Sequence, residues 1–454
     1  MAVVAALLFI GLSATPADGA QRRKRLVPPP PPSVAVDSAR IEPLAAGTHV
    51  VVEGGGEYRG VLELRRATVK PPAPVPVPGQ PPAPAPPPVT GVGVVNDVGF
   101  EDYLKGIAEV PAGWPPEALR AQAVAARTYA LWVLENGAAG AAGDLGAQIC
   151  ATEGCQVYAG LAKERAPNAA NWVAAVEATA GQVLLYQDRA IVAKYSSSNG
   201  GRSVSGGKPY LKPVDDPDDA RSPLHRWTLA VSFDDVGRAV AAPGTVTGVR
   251  REGGSVAVGW SGADGSGGEV VVPATEFRAK LNAAVPPPPG RSRTVPSIMF
   301  EMAADGGARV VNLAGRGYGH GIGMSQYGAY GKAARGLRAD AILAAYYGGL
   351  RPTTLPAGRL PATVKVAVDE GRPEVRIGAT GPFRVLDGKG NVVAAVATGA
   401  WRVTPGPKRV LRLFPPPGQT GPAAVELVAV EPATGVVGQP MAVRFRPRVP
   451  ALVR

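Results

Sequence analysis

Apolar side chains recur at helical spacing in two successive stretches. Phe100, Tyr103, Leu104 and Ile107 predict a helix over residues 100–110 that Pro111 ends. In the next stretch Pro115 and Pro116 suit a first helical turn and Glu117 complements its positive end. Leu119, Val124, Tyr129, Leu131 and Leu134 supply the apolar positions before Gly137 stops the helix. Strand-like runs precede these helices at 48–53, 60–65 and 92–95, and others follow at 182–186 and 190–195. Residues 227–311 mix strands near 246–251, 256–260, 270–272, 298–302 and 309–312 with a helix near 274–281. Two further helices are expected, over 324–334 and 339–347.

Beyond residue 356 the pattern changes to short alternating strands at 364–368, 375–377, 383–386 and 401–404, broken by turns such as 388–390. This pattern reads as a separate all-β accessory module over 356–454, of a size that stands alone. The expected fold class is therefore α+β: a domain of mixed helices and antiparallel sheets over 41–355, followed by that module. Proline tracts punctuate the chain. Residues 21–40 read as a Pro-rich tether, and 71–88 either mark a domain boundary or extend the connection of one hairpin.

Residues 2–12 form an apolar run too short to span a bilayer, with small residues from 14 to 20. The first 20 residues are expected to be a signal peptide, which places the protein outside the cytoplasm, in the periplasm or cell wall. No Lys or Arg precedes the apolar run, and Arg22, Arg23, Lys24 and Arg25 follow it, against the usual export bias. An uncleaved N-terminus would be the one route to a membrane. The chain of 454 residues carries a formal net charge of +12, which suits an anionic partner. No RRM, zinc-finger or basic-helix pattern accompanies the charge, so nucleic acid is not an expected partner.

Glycine falls at every second position from Gly315 to Gly323, around His320, one of 3 histidines. Such spacing costs backbone entropy and serves positive φ or a close approach to the backbone. Tyr318, His320, Ser325, Gln326 and Tyr327 flank it with donors and acceptors for a polar ligand; the plain alternative is a turn into the next helix. The dinucleotide fingerprint fails in every register of this segment, no H-E-x-x-H occurs, and Pro209 stands where a phosphate loop needs Ser or Thr. The 2 cysteines, Cys150 and Cys155, read as a disulfide in an exported chain and as part of a metal site in a cytosolic one. Glu109 sits among apolar neighbours and near Trp114, an environment that raises a carboxyl pKa toward that of a general acid. A solvated glutamate at a helix end is the alternative.

Four blocks, FEDYLKGIAEVPAGWPPEALRAQAVAARTYAL at 100–131, CQVYAG at 155–160, KYSSSNGGR at 194–202 and GRGYGHGIGMSQYGAYG at 315–331, resemble the sporulation stage II protein D family, which includes amidase enhancers. The resemblance spans about residues 58–350 and favours the Pro-rich tract as an insertion. It implies action on peptidoglycan as a lytic transglycosylase, on glycan strands stripped of stem peptides, with Glu109 as the acid and base. A non-catalytic activator that partners a cell-wall amidase is the alternative, and a water-dependent muramidase-like hydrolase is a third reading. The resemblance also implies a groove lined by Ser196, Ser197, Ser198, Gly200 and Gly201, and by Tyr318, His320, Gln326 and Tyr327. Some members bind zinc where a histidine precedes the second cysteine. Gly154 stands there, with no histidine from residue 101 to 222, so no cofactor is expected and a disulfide is favoured over structural zinc.

Overall fold

The computed structural model describes residues 33–69, 86–137, 141–356, 358–417, 424–431 and 442–448. The signal-peptide expectation and most of the tether and Pro-rich insertion lie outside these residues. The chain is mixed α+β with predominantly antiparallel sheets.

Two sheets share one apolar core. The larger runs, by neighbouring strands, Val392–Ala397, Phe383–Asp387, Ala39–Pro43, Val61–Val69, Val89–Gly99, Thr363–Arg372 and Ile149–Cys150. The smaller runs Val34–Val36, Leu411–Phe414, Trp401–Pro405, Val375–Ala379, Val50–Val52 and Gly56–Tyr58. Ile41, Leu62, Val94, Val364, Trp401 and Leu413 meet in the core between them, nearly without exposure. Alternation of period two gives each strand its inward apolar set.

This pairing corrects two expected boundaries. The strands after residue 356 do not stand apart: Thr363–Arg372 pairs antiparallel with Val89–Gly99, and Leu411–Phe414 with Val34–Val36. A short alternating run looks the same in an independent sandwich and in strands that complete a distant sheet. Likewise Val34–Val36 and Ala39–Pro43 are sheet strands, so the tether expected over 21–40 gives way to structure by residue 34. Val61–Val69 and Val89–Gly99 pair in register from Val61 opposite Asp97 to Val69 opposite Val89, which makes the Pro-rich segment the connection of one hairpin.

The helix Pro116–Asn136 lies between this core and a second one. One face meets helix Ala169–Ala178. The other buries Ala121, Val124 and Ala125 with Leu211, Met324, Ile342 and Tyr346, under helices Gln326–Ala334 and Ala339–Tyr346. A third core, of Trp227, Phe233, Val256, Phe277 and Leu313 among others, holds two three-stranded sheets and two helices spanning residues 226–316.

Candidate active site

The predicted helix over 100–110 stops early, at Phe100–Lys105. A Cβ at Gly106 would lie 2.4 Å from the Tyr158 ring, so only glycine lets the chain pass, and Ile107 bridges to Tyr158. The Ala108 amide donates to the Val157 carbonyl at 2.8 Å, and Glu109 emerges from this turn rather than from a helix end. Its Oε1 accepts the Val157 amide at 2.7 Å. Burial pushes the Glu109 pKa up, against the lowering effects of the Val157 amide and the Gln326 side chain. Tyr129 flanks the carboxyl in the same cleft. Trp114, expected from sequence near this carboxyl, packs on Tyr327 and Tyr330 at 5.1 and 5.2 Å between ring centres.

The facing wall is built from the serine loop and the glycine segment. Tyr195–Ser196 runs parallel to Met324–Ser325, and Ser198 and Tyr318 exchange backbone hydrogen bonds at 3.1 and 2.9 Å. The glycines permit this contact. Gly319 has φ of 100° and a Cβ there would stand 2.8 Å from the Ser196 Cβ; Gly323 has φ of 69° and its Cβ would fall 2.1 Å from the Lys194 carbonyl oxygen. Ser196 Oγ accepts the Gly321 amide at 3.2 Å. His320 Nδ1 accepts the Ile322 amide at 2.9 Å, which places the proton of the neutral ring on Nε2. Partial desolvation by the cleft wall, then the charge of Lys194, lower its pKa to about 4, so the ring is neutral near pH 7.

Two fully buried carboxylates fasten that wall from behind. Asp219 accepts Ser198 Oγ at 2.7 Å, Ser325 Oγ at 2.5 Å, His225 Nδ1 at 2.9 Å, and the amides of Asn199 and Gly200 at 3.1 and 3.0 Å. Asp216 accepts Asn199 Nδ2, Lys332 Nζ and Tyr346 OH at 2.9, 2.5 and 2.5 Å. Sequence reasoning missed both. Their one signal was a cluster of acids, four of the five residues from Asp215 to Asp219, in a basic chain.

Glu109, Ser196, Ser197, Tyr318, His320 and Gln326 line a common cleft of about 440 Å³. Small-molecule pockets span roughly 300–1,000 Å³. Tyr129, Tyr195, Lys194, Arg278 and Glu153, none of them anticipated, complete much of its wall. The remaining expected groove residues sit elsewhere. Ser198 has no exposed surface and serves Asp219; Gly200 is buried in the same turn, Gly201 packs beside His225, and Tyr327 packs on Trp114 with the rings tilted and is not among the residues lining the cleft. A run of polar residues in sequence looks like a ligand surface, but the chain turns at Gly200 and Gly201 and Tyr327 lies on a helix, so they meet other neighbours.

Cys150 and Cys155 are joined in a disulfide, with Cα atoms 5.5 Å apart. Both sulfurs are thereby taken from metal ligation, and among the described residues no group of three or more His, Cys, Asp or Glu could hold a metal. The residues present do not fit the structural zinc weighed from the sequence. The disulfide instead closes the loop that carries Glu153 and leads to Val157, and Cys155 itself lines the cleft.

Chain and cleft thus define an α+β protein with a partly desolvated acid facing a polar wall. The profile described as Stage II sporulation protein matches residues 89–186. The chain is 30% identical over 274 residues to Stage II sporulation protein D of Bacillus subtilis, covering 56% of this chain and 74% of that protein. An uncharacterised protein of Brachyspira hyodysenteriae is 31% identical over 274 residues, covering 57% of this chain and 67% of the other. The amidase enhancer of Bacillus subtilis is 30% identical over 310 residues, and there the match spans 55% of this chain but 40% of the enhancer. The chain belongs to the stage II sporulation protein D family.

Proposed function

We propose that this protein is a lytic transglycosylase of peptidoglycan, cleaving glycan strands between N-acetylmuramic acid and N-acetylglucosamine. The observation that carries the reading is Glu109: a carboxyl raised in pKa by burial, held by the Val157 amide and open to a cleft that fits sugar. In the protonated state it gives its proton to the glycosidic oxygen as the bond to the anomeric carbon breaks. The resulting carboxylate then takes the proton of the C6 hydroxyl, whose oxygen attacks the anomeric carbon and closes a 1,6-anhydro ring. Glu109 ends reprotonated and no water is consumed. Hydrolytic glycosidases use a second carboxylate to act as base or nucleophile. The other acid of the cleft, Glu153, is paired with Arg293, which favours transfer over hydrolysis.

The Nε2–H of the neutral His320 supplies a donor, and the Tyr318 hydroxyl, which bonds Ser292 Oγ at 2.7 Å, a donor or acceptor, for sugar hydroxyls and the acetamido group. The net positive charge of the chain agrees with an anionic wall polymer as substrate, and the reading requires an exported protein. The likeness to the amidase enhancer favours a second reading, a non-catalytic activator of a cell-wall amidase. Purified protein incubated with peptide-free glycan strands separates them. Anhydro-muramyl ends that disappear with Glu109→Gln are the expected result. Intact strands together with a stimulated amidase would instead establish the activator.

A further inference from the structure

The cleft holds two cations that its acid–base chemistry does not use. Lys194 precedes the serine loop, and Arg278 projects from helix Ala274–Ala284 of the 226–316 region. Both line the cleft together with His320, and both charges lower the pKa of its ring. Arg278 is fixed in place: its Nε and Nη2 donate to the carbonyls of Val295 and Pro296 at 3.0 and 2.9 Å. Those acceptors carry no charge. Among the described residues neither cation has a carboxylate at ion-pair distance, while Glu153, on the same cleft, is engaged by Arg293. Burial also disfavours the Arg278 charge, and an uncompensated buried cation is costly until an anion meets it.

We infer that Arg278 and Lys194 form a carboxylate subsite that receives the lactyl acid of an N-acetylmuramic acid unit whose stem peptide has been removed. The inference rests on the glycan-cleaving reading of the same cleft. A glycan strand is otherwise neutral: its hydroxyls and acetamido groups offer no full charge. The lactyl ether ends in a carboxyl that an attached peptide converts to an amide, so the anion exists only on stripped units. A planar guanidinium held by two backbone carbonyls is pre-organised for a carboxylate, and a lysine lining the same cleft adds a mobile second donor. The subsite therefore distinguishes stripped from peptide-bearing strands by charge as well as by space.

The test compares two ligands of equal length: peptide-free strands with free lactyl acids, and the same strands with those acids converted to methylamides. Binding is measured on the full chain carrying Glu109→Gln, so that no turnover intrudes. A hydrogen bond to a charged group contributes about 1.5 kcal/mol or more, so the acid strand should bind at least about tenfold tighter than the methylamide. Lys194→Gln, whose ammonium makes no hydrogen bond or ion pair among the described residues, and Arg278→Gln should each weaken the acid strand more than the methylamide and so shrink that ratio. Equal binding of the two ligands, or equal weakening of both by the substitutions, overturns the subsite. Cleavage by the unsubstituted chain separates the two claims. Discrimination without anhydro ends retains the subsite and refutes the transglycosylase; anhydro ends formed equally from both strands do the reverse.

Discussion

Replacing Asp219 with alanine removes one carboxylate from behind the cleft and leaves five donors facing its place. They differ in what they can do next. The hydroxyls of Ser198 and Ser325 can rotate, and His225, with about a quarter of its side chain exposed, can turn to water. The amides of Asn199 and Gly200 are buried and fixed by the loop. Each orphaned amide costs about 1–3 kcal/mol, and breaking a buried charged cluster by removal of one member costs about 3–5 kcal/mol. We take the second figure, since it lies within twice the first. With unfolding entropy of about 2.1 cal/mol/K per residue, a chain of this length loses roughly 1 °C for each kcal/mol. Asp219→Ala should therefore lower the melting temperature by about 3–5 °C in a thermal scan at pH 7. Because the loss is seated in the serine loop, glycan affinity should fall as well. A melting temperature within about 1 °C of the parent chain, with glycan affinity intact, would refute the view that Asp219 fastens this wall.

Glu109→Gln should abolish glycan cleavage and yet stabilise the fold near pH 8. The folded-state pKa of Glu109 lies above its unfolded value, so the ionised form costs stability above that pKa; each tenfold displacement of proton binding is worth about 1.4 kcal/mol. The gain should fade as pH drops through the raised pKa and vanish below the unfolded one, as thermal scans across pH will show. Cleavage by the parent chain should likewise decline as pH rises through the same pKa, because the acid form is then lost. Reduction of Cys150–Cys155 closes off about 2 kcal/mol by the loop-entropy relation, so a reductant should lower the melting temperature slightly and the cleavage rate more, since Glu153 and Val157 lose their anchored loop. Gly323→Ala should destabilise far more than Gly253→Ala. Both glycines have positive φ, but a Cβ at Gly323 meets the Lys194 carbonyl and one at Gly253 meets nothing within 4 Å; comparable unfolding midpoints would contradict the close-approach explanation.

Most local elements were legible because their patterns are local. The helix Pro116–Asn136 carries its own start, apolar stripe and stop, and the valine-bearing strands of 245–273 are set off by glycine-rich turns. Partnerships were not legible. Nothing in the run Thr363–Arg372 states that its neighbour lies at Val89–Gly99, more than 250 residues earlier in the chain, since pairing is a long-range property of the whole core. Gly106 shows a finer limit: helical spacing continues through Ile107, but the Tyr158 ring occupies the space a longer helix needs. In the site, Glu109 and His320 drew notice through their neighbours in sequence. Asp219, Lys194 and Arg278 did not, because a buried acid that serves a loop and cations aimed into a cleft have no local signature.

The central claim is that Glu109 transfers the glycosyl carbon to the sugar's own C6 oxygen rather than to water. Digestion of peptide-free glycan strands in water enriched with heavy oxygen, read by mass spectrometry, tests it directly. The expected fragments carry no label, are lighter than hydrolysis products by one water, and are missing from the Glu109→Gln reaction. Heavy oxygen at the new reducing ends would contradict it.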